Sequence, residues 1–400
     1  MKTLLAAAVF TLCAAILIGC TDSGISRSSG ASDTKEKASE NMTVSDDNDL
    51  ETKNVSFCAV GDNLIHETIY NEADGFLGGY DDGKYDFTPF YSEVKDDIKA
   101  FDIAFINQET IVGGYDLGLS GYPVFNSPNE VVSALKETGF DMVNTATNHS
   151  LDKGQEGIDN AVSVLDKNSL CHDGVYSDAS DMDKIRIIEK NGIKVALVSF
   201  TESTNGIELP NDYSLSTFDD EYIKKKISAA KTAADVVLVS AHWGTENSFK
   251  ENDSQKYYSK YFADCGADII IGTHPHTIQP IKRITADDGR NVLCAYSLGN
   301  FLGGMLSFDN VLSGMVSFDI KEKDNRITVD NVKWTPLVIH FEGDKNNIMD
   351  SRKNYKVYKL SDYNDKLSKK HILNGYEGNE ISVEHFWEKT KEVINSEFLQ

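Results

Sequence analysis

The sequence predicts an α/β fold, in which buried strands alternate with helices and polar residues collect where the strands end. Runs of apolar, β-branched residues, such as 55–60 and 269–272, are typical of strands that are buried on both faces. Segments with helical spacing lie between most of these runs, which favours a mostly parallel sheet. Open α/β sheets place their ligand chemistry at the carboxyl ends of such strands. We therefore expect the functional site at these strand ends.

The individual elements follow from local patterns. Buried strands are predicted at 55–60, 103–106, 141–143, 236–239 and 269–272. Helices are predicted at 89–100, 129–138, 155–167, 219–234, 254–265 and 383–398. Pro89 suits the first turn of its helix, and Asn129 is expected to cap the next one. Later in the chain the pattern changes to successive strands, which we expect to complete a second sheet, at 291–297, 313–320 and 327–339.

The two ends of the chain differ in composition from its middle. Residues 1–20 have the pattern of a lipoprotein signal peptide, because the apolar run ends in Leu17-Ile18-Gly19-Cys20, which resembles a lipobox. Cys20 is then the expected lipid anchor, and the protein is expected outside the cytoplasm on the cell membrane. The alternative is an ordinary secreted protein with a chance cysteine at this position. Residues 21–54 lack aromatic residues and proline, and are predicted to be a disordered tether.

The rest of the chain is predicted to be one domain at 55–340, with a C-terminal extension at 341–400 packed on the same domain. The formal net charge is −24 at pH 7. This charge argues against nucleic-acid binding and against adhesion to anionic lipid through surface charge. An anionic ligand would need metal ions or a few local Lys or Arg side chains to offset this field.

Five predicted strand ends carry potential metal ligands. Their polar motifs are Gly61-Asp62, Asn107-Gln108-Glu109, Asn148-His149, His242-Trp243-Gly244 and His274-Pro275-His276. A mixture of carboxylate, amide and imidazole groups suits Mn²⁺, Fe or Zn²⁺. Roughly seven candidate ligands are too many for one tetrahedral ion, so two divalent ions are expected, with a single ion as the alternative. Two polar neighbours are interpreted differently: we expect Asp152 to cap the following helix and His66 to be a solvated helix residue.

These motifs resemble those of the CapA family of bacterial capsule-synthesis proteins, whose domain is similar to the calcineurin-like metallophosphoesterases. Further matches in the family's order are Thr110 after Glu109, the segment 146–154, and Ser297-Leu298-Gly299-Asn300-Phe301. The resemblance spans about residues 55 to 302. It implies a four-layer α-β-β-α sandwich of the metallophosphoesterase type.

The same resemblance implies roles for single residues. One ion would be held by Asp62, Glu109 and His276, and the other by Glu109, Asn148, His242 and His274. His149 would be the catalytic general acid, and the substrate pocket would include Asn107, Thr110 and Asn300. The chain departs from the phosphoesterase pattern at Leu64, where a histidine ligand is usual, and Leu64 cannot bind metal. Glu109 replaces an Asp, and Thr110 stands where an Asn often follows.

Two functions from different classes remain open at this point. The first is a membrane-anchored hydrolase or transferase of capsule or poly-γ-glutamate biosynthesis that depends on a dinuclear metal centre. The second is a non-catalytic anchored component that binds or exports the polymer and retains a vestigial metal site. Leu64 and the acidic composition favour the second, whereas Asn148, His149 and the two C-terminal motif histidines favour the first. The expected partners are an anionic envelope polymer or phosphoester substrate, the membrane through the lipid anchor, and a membrane-bound polymer synthase.

Overall fold

Two mixed β-sheets face each other in the computed structural model, and helices cover their outer surfaces. The structure describes residues 52–77, 83–324 and 326–399. The predicted signal peptide with Cys20, and residues 21–51 of the predicted tether, lie outside the described residues. The first strand begins at Lys53, two residues before the predicted start of the domain.

The elements of the described residues are as follows. The strands are β1 (Lys53–Asn63), β2 (Ile103–Gln108), β3 (Met142–Asn144), β4 (Cys171–Asp173), β5 (Arg186–Lys190), β6 (Ile193–Thr201), β7 (Val236–His242), β8 (Ile269–Thr273), β9 (Ile281–Thr285), β10 (Asn291–Ala295), β11 (Asn300–Leu302), β12 (Leu312–Lys323), β13 (Arg326–Glu342) and β14 (Lys353–Lys359). The helices are α1 (Glu67–Gly75), α2 (Thr88–Tyr91), α3 (Lys95–Lys99), α4 (Glu130–Thr138), α5 (Gly154–Lys167), α6 (Ala179–Met182), α7 (Asp220–Ala233), α8 (Asp253–Cys265), α9 (Phe308–Val311), α10 (Asp365–Lys370) and α11 (Val383–Val393).

The first sheet has the strand order β14-β13-β12-β1-β2-β3-β4, and β11 pairs with the end of β1. Strands β1 to β4 are parallel, so their carboxyl ends lie at one edge. Strands β12 and β13 extend this sheet on the other side of β1, where Val316 pairs antiparallel with Ala59. The expectation that these two strands complete the second sheet is therefore wrong. The free edge of β1 accepts β12 because antiparallel pairing needs no crossover helix.

The second sheet has the order β5-β6-β7-β8-β10-β9, with a parallel centre made of β6, β7, β8 and β10. Successive residues of its strands point to opposite faces. In β6, Val195 and Leu197 pack into the core between the sheets, whereas Ala196 and Val198 pack with residues of α7 and α8. Burial on both faces explains why these strands are continuous apolar runs in the sequence.

Helices α1, α4 and α5 cover the first sheet through residues such as Ile69, Leu135 and Ile158, and α7 and α8 cover the second. The predicted α/β fold, a four-layer α-β-β-α sandwich, is thus confirmed. The segment 341–399 belongs to the same core, since β14 pairs with β13 and Phe386 of α11 is fully buried. None of the helices in the described residues is both long and apolar enough to cross a membrane.

Three local expectations differ from the structure. The predicted helix at 89–100 is divided into α2 and α3 by a turn at residues 92–94. Asn129 precedes α4 without a side-chain cap, because its Oδ1 accepts a hydrogen bond from Asn160 Nδ2 at 2.7 Å instead. The last predicted helix ends at Val393, and a short 3₁₀ turn follows at Ser396–Phe398.

Candidate metal centre

The carboxyl ends of strands from both sheets converge on one buried group of polar side chains. Asp62 lies near the end of β1, and Glu109 directly follows β2. His242 is the last residue of β7, and His274 directly follows β8. Each of the four residues lies on a strand or directly after one, and the apolar residues of these strands are fixed in the core. The fold itself therefore determines the positions of the four side chains.

Asp62, Glu109 and His276 form one half of this group. His276 Nδ1 lies 3.2 Å from Asp62 Oδ2, and His276 Nε2 lies 3.5 Å from Glu109 Oε1. The backbone N–H of His274 is directed at the Asp62 carboxylate, at 3.3 Å from Oδ2. Both carboxylate side chains are fully buried. Two buried acids this close together need a cation between or beside them.

Asn148, His242 and His274 form the other half, again around Glu109. His242 Nε2 lies 2.9 Å from Asn148 Oδ1 and 3.9 Å from Glu109 Oε1. The rings of His242 and His274 have centroids 4.8 Å apart. Glu109 is therefore the residue that both halves share, as expected of a carboxylate that bridges two ions.

Three atoms of this group test whether a metal fits. Both Oε atoms of Glu109 and Nδ1 of His274 are buried and have no hydrogen-bond partner among the described residues. A buried polar atom without a partner costs about 1–3 kcal/mol, and a charged one costs more. Single ligand atoms of Glu109, His274 and His276 lie within 4.8 Å of one another. Unpartnered oxygen and imidazole nitrogen atoms at this spacing fit a divalent ion.

The electrostatics of the histidines agree with this fit. Burial, together with the charges of neighbouring histidines, lowers the pKa of His242 well below its usual value and that of His274 to about 4. Both rings are then neutral, as metal ligands must be. Burial also lowers the pKa of His276, but the carboxylates of Glu109 and Asp62 outweigh it and raise that pKa to about 10. Burial raises the pKa of Glu109 well above its usual value. A divalent ion beside Glu109 and His276 would favour the ionised carboxylate and the neutral imidazole, so its binding would release protons.

The backbone around the histidines is strained. His274 and His276 have φ values of 95° and 60°, in the left-handed region that residues other than glycine rarely adopt. Such strain is typical of functional sites that the surrounding fold holds in place. Close packing also positions Asp62, since a Cβ on the preceding Gly61 would lie 1.8 Å from the carbonyl oxygen of Gly299.

His149 lies beside the ligand group and is held by a carboxylate. Its Nδ1 lies 2.8 Å from Asp152 Oδ2, and the Asp152 side chain is only 2% exposed. Asp152 also accepts the backbone N–H of Phe125 at 2.7 Å, and the Phe125 ring meets that of His149 edge-on at 4.7 Å. The expectation that Asp152 caps α5 is wrong, because Lys153 occupies the cap position and Asp152 turns toward His149.

The three residues expected to form the substrate pocket lie behind the ligands and are fully buried. Asn107 Nδ2 donates to Asp62 Oδ1 at 2.7 Å, and Asn300 Oδ1 accepts from His276 Nδ1 at 2.9 Å. Thr110 shares a 2.7 Å hydrogen bond with the hydroxyl of Ser127. These hydrogen bonds from Asn107 and to Asn300 hold the side chains of Asp62 and His276, as hydrogen-bonding neighbours of metal ligands usually do.

Sequence reasoning missed two residues near the centre. Asp152 lies three positions after His149, a spacing that brings both side chains to one side of the loop that precedes α5. His66 precedes α1 and is half-buried, whereas a solvated helix residue was expected. Its Nδ1 accepts the backbone N–H of Gly304 at 3.0 Å, and its ring meets that of Phe125 at 5.5 Å. Its position four residues after Asp62 was the signal available in the sequence.

Comparisons with known proteins agree with this geometry. The model of the family described as "Bacterial capsule synthesis protein PGA_cap" matches residues 56–305. The chain is 35% identical over 176 residues to the PGA biosynthesis protein CapA of Bacillus subtilis, covering 43% of this chain and 45% of that protein. It is 32% identical over 183 residues to the capsule biosynthesis protein CapA of Bacillus anthracis, covering 44% and 43%. The matches therefore span less than half the length of these relatives.

Among solved structures, the calcineurin-like phosphoesterase YfkN of Bacillus subtilis is similar, with a TM-score of 0.46 and 14% identity. That match covers 86% of this chain and 99% of the other. The family match is the stronger finding, because it covers more than half of the chain and includes every strand end that carries a candidate ligand. The chain belongs to the bacterial PGA_cap family of capsule synthesis proteins, as its CapA-like motifs predict.

Proposed function

We propose that this protein is a metal-dependent hydrolase or transferase that acts on an envelope polymer during capsule or poly-γ-glutamate biosynthesis. The observation that carries the proposal is the buried, unpartnered set of Glu109 Oε atoms and His274 Nδ1 at the strand ends. Membership of the PGA_cap family supports the biological context. The class of reaction follows from the donor set and from His149 beside it.

The proposed assignment of ligands follows the two halves of the group. Asp62, Glu109 and His276 would hold one divalent ion, of Mn, Fe or Zn, and Glu109, Asn148, His242 and His274 a second. When bound, such ions supply an activated water and stabilise the negative charge that develops on a substrate oxygen. Asn107 and Asn300 keep Asp62 and His276 in their orientations through buried hydrogen bonds.

His149 is the proposed proton donor. Asp152 accepts a hydrogen bond from Nδ1 at 2.8 Å, which fixes the ring and leaves Nε2 as the atom that can donate. The edge-on contact with Phe125 limits rotation of the ring. His149 would protonate the leaving oxygen or nitrogen as the scissile bond breaks, which removes the need to expel an unprotonated leaving group. Asp152 is then a positioning residue.

Complementation separates catalysis from a purely structural role. A strain that lacks this gene would receive wild type, His274→Ala or the control His172→Gln, and its surface polymer would be measured with the protein's metal content. His172 is also buried, but its Nε2 lies 3.1 Å from the carboxylate of Asp166, which is not a candidate ligand. Rescue by wild type and by His172→Gln, but not by metal-free His274→Ala, supports the proposal.

The alternative is a polymer-binding or export component with a vestigial metal site, which Leu64 at a usual ligand position favours. Full rescue by folded, metal-free His274→Ala would establish this alternative. No change in any envelope polymer on deletion would exclude both functions.

We also propose that a lipid on Cys20 holds the protein at the outer face of the membrane, near a polymer synthase. A lipobox-like sequence and a polar tether support this location. The variant Cys20→Ser should leave the membrane fraction or stay unprocessed. Its correct cleavage together with unchanged sedimentation in the membrane fraction would refute lipid anchoring.

A further inference from the structure

A groove lies next to the metal centre, between α1 and the segments 304–306 and 349–352. It consists of two adjoining cavities of about 540 and 510 Å³. The two share four lining residues, Thr68, Asn71, Asp350 and Arg352. We call the combined space the Arg352 groove.

Two series of side-chain contacts connect the groove to the metal centre. On one side, His66 lines the groove, its ring meets that of Phe125, and Phe125 meets His149. On the other side, Met305 lines the groove and its sulfur lies 3.5 Å from Asn300 Nδ2. Asn300 in turn contacts His276. The groove is therefore about one side chain away from both the proposed proton donor and a proposed ligand.

Arg352 gives the groove a buried positive charge. The residue is 9% exposed, and its guanidinium donates to the carbonyl oxygens of Gly304 and Met349. Its Nε is buried without a partner, and no carboxylate among the described residues forms an ion pair with it. A buried cation that only carbonyls compensate is costly, and a guanidinium fork is well suited to a carboxylate or phosphate.

The other charged groups of the groove do not cancel this charge. Glu67 and Asp350 also line it, but both are exposed, so solvent and salt screen them. The half-buried Glu72 lines the second cavity, where its carboxylate accepts the backbone N–H groups of Asn354 and Tyr355, and the exposed Lys353 lines the same cavity. His66 also lines the groove, and its Nδ1 lies 3.0 Å from the backbone nitrogen of Gly304 and 3.1 Å from the carbonyl oxygen of Leu64.

We propose that the Arg352 groove binds an oxyanion group of an extended substrate, a carboxylate or a phosphate, while the reacting bond lies at the metal centre. This inference rests on the proposed function and names the substrate class. It also answers a difficulty that the sequence raised, because a chain with a net charge of −24 needs a local cation to hold an anionic polymer.

Calorimetric titration of the full chain tests the inference in the presence of a chelator. The probes are a γ-linked glutamate hexamer, a glycerol phosphate hexamer and a neutral γ-linked isoglutamine hexamer, in which each free α-carboxylate is replaced by a carboxamide. At least one anionic probe should bind and the neutral one should not, and the tighter anion identifies the source of the oxyanion. Equal binding of all three, or binding of none, would overturn the proposal.

Variants then locate the binding. Arg352→Met should weaken it about tenfold or more, since a hydrogen bond to a charged group is lost. Glu67→Lys at the groove should strengthen it about two- to fivefold, whereas Glu221→Lys, the same change on the exposed side of α7, should not. If Arg352→Met does not fold, the test rests on the two lysine variants. Equal affinities of Glu67→Lys and Glu221→Lys for the anionic probe would then refute binding in the groove.

The chelator separates this test from that of the proposed function. His274→Ala should keep its affinity for the anionic probe while it loses metal. Retained binding in a variant that fails complementation supports the groove and the metal centre independently. Loss of anion binding in folded His274→Ala would show that the anion binds at the centre itself and would overturn the groove proposal.

Discussion

Divalent metal should stabilise the folded chain, and Glu109→Gln should remove most of that effect. Both carboxylate oxygens of Glu109 are buried without a hydrogen-bond partner among the described residues, and His274 Nδ1 is in the same state. With about 1–3 kcal/mol for each such atom, the metal-free domain is roughly 3 kcal/mol or more less stable than one with satisfied atoms. An ion that binds these atoms removes this penalty only in the folded state.

The size of the effect follows from mass action. An ion at 100 times its dissociation constant adds about 2.7 kcal/mol to the free energy of unfolding. The described residues 52–77, 83–324 and 326–399 belong to one folded unit. With an unfolding entropy of about 2.1 cal/mol/K per residue, a unit of this length should rise in melting temperature by about 4 °C.

Differential scanning calorimetry of the full chain, first with chelator and then with Mn²⁺, Fe²⁺ or Zn²⁺, measures this shift. In chelator, the free energy of unfolding of Glu109→Gln should lie within about 1 kcal/mol of the wild-type value, since a neutral amide replaces a buried carboxylate of the same shape. With metal it should gain less than half of the wild-type shift. Glu156→Gln on the exposed face of α5 is the control and should gain the full shift. An equal metal-induced rise in melting temperature for Glu109→Gln and wild type would show that Glu109 does not bind the ion. No rise in wild type with any of the three ions would show that the site binds none of them.

Three further predictions concern the proton donor, the response to pH and the backbone. His149→Ala should keep its metal but lose about 10²–10⁴-fold in turnover of substrates with poor leaving groups; steady-state rates and elemental analysis check this, and an unchanged rate would exclude His149 as the acid. Burial lowers the pKa of His371 to about 3, from about 6.5 in the unfolded chain, so its contribution to stability is complete above pH 6.5 and is lost as the pH falls toward 3. Urea titrations of His371→Gln between pH 6 and 4 should therefore show a slope smaller than that of wild type by about 1.4 kcal/mol per pH unit, and equal slopes would contradict the assignment. Gly61→Ala should destabilise the domain by about 2–3 kcal/mol and weaken metal binding, whereas Gly303→Ala, whose Cβ would meet its nearest neighbour at 3.6 Å, should do neither in the same assays.

Several strands of the parallel regions could be predicted from sequence because burial on both faces leaves continuous apolar runs, as at 236–239 and 269–272. The parallel strands β4 and β6 were not predicted, since β4 has only three residues and Lys194 and Ser199 interrupt the apolar run of β6. The edge strands β5 and β9 were not predicted, since they have one exposed face and mixed composition. The sheet that β12 and β13 join could not be predicted either. Their patterns show that they are strands, but pairing with β1 depends on which edge is free in the folded protein.

The group of candidate ligands could be predicted from the sequence because each motif follows a recognisable strand, and strand ends meet at one edge. The side chains that surround this group could not be predicted, because their positions depend on loops. Asp152 satisfies a helix-cap pattern, yet its carboxylate contacts His149 and the backbone of Phe125. Arg352 comes from a polar segment far along the chain, and only the pairing of β14 with β13 brings it near α1.

Crystals grown with Mn²⁺ and measured at the manganese absorption edge would test the metal centre most directly. We predict an anomalous peak at coordination distance, about 2.0–2.3 Å, from a Glu109 oxygen and from a nitrogen of His274 or His276. A second peak that shares Glu109 with Asn148 and His242 would establish two ions. If anomalous density is absent there, and the Glu109 oxygens contact only protein groups or water, the central claim is contradicted.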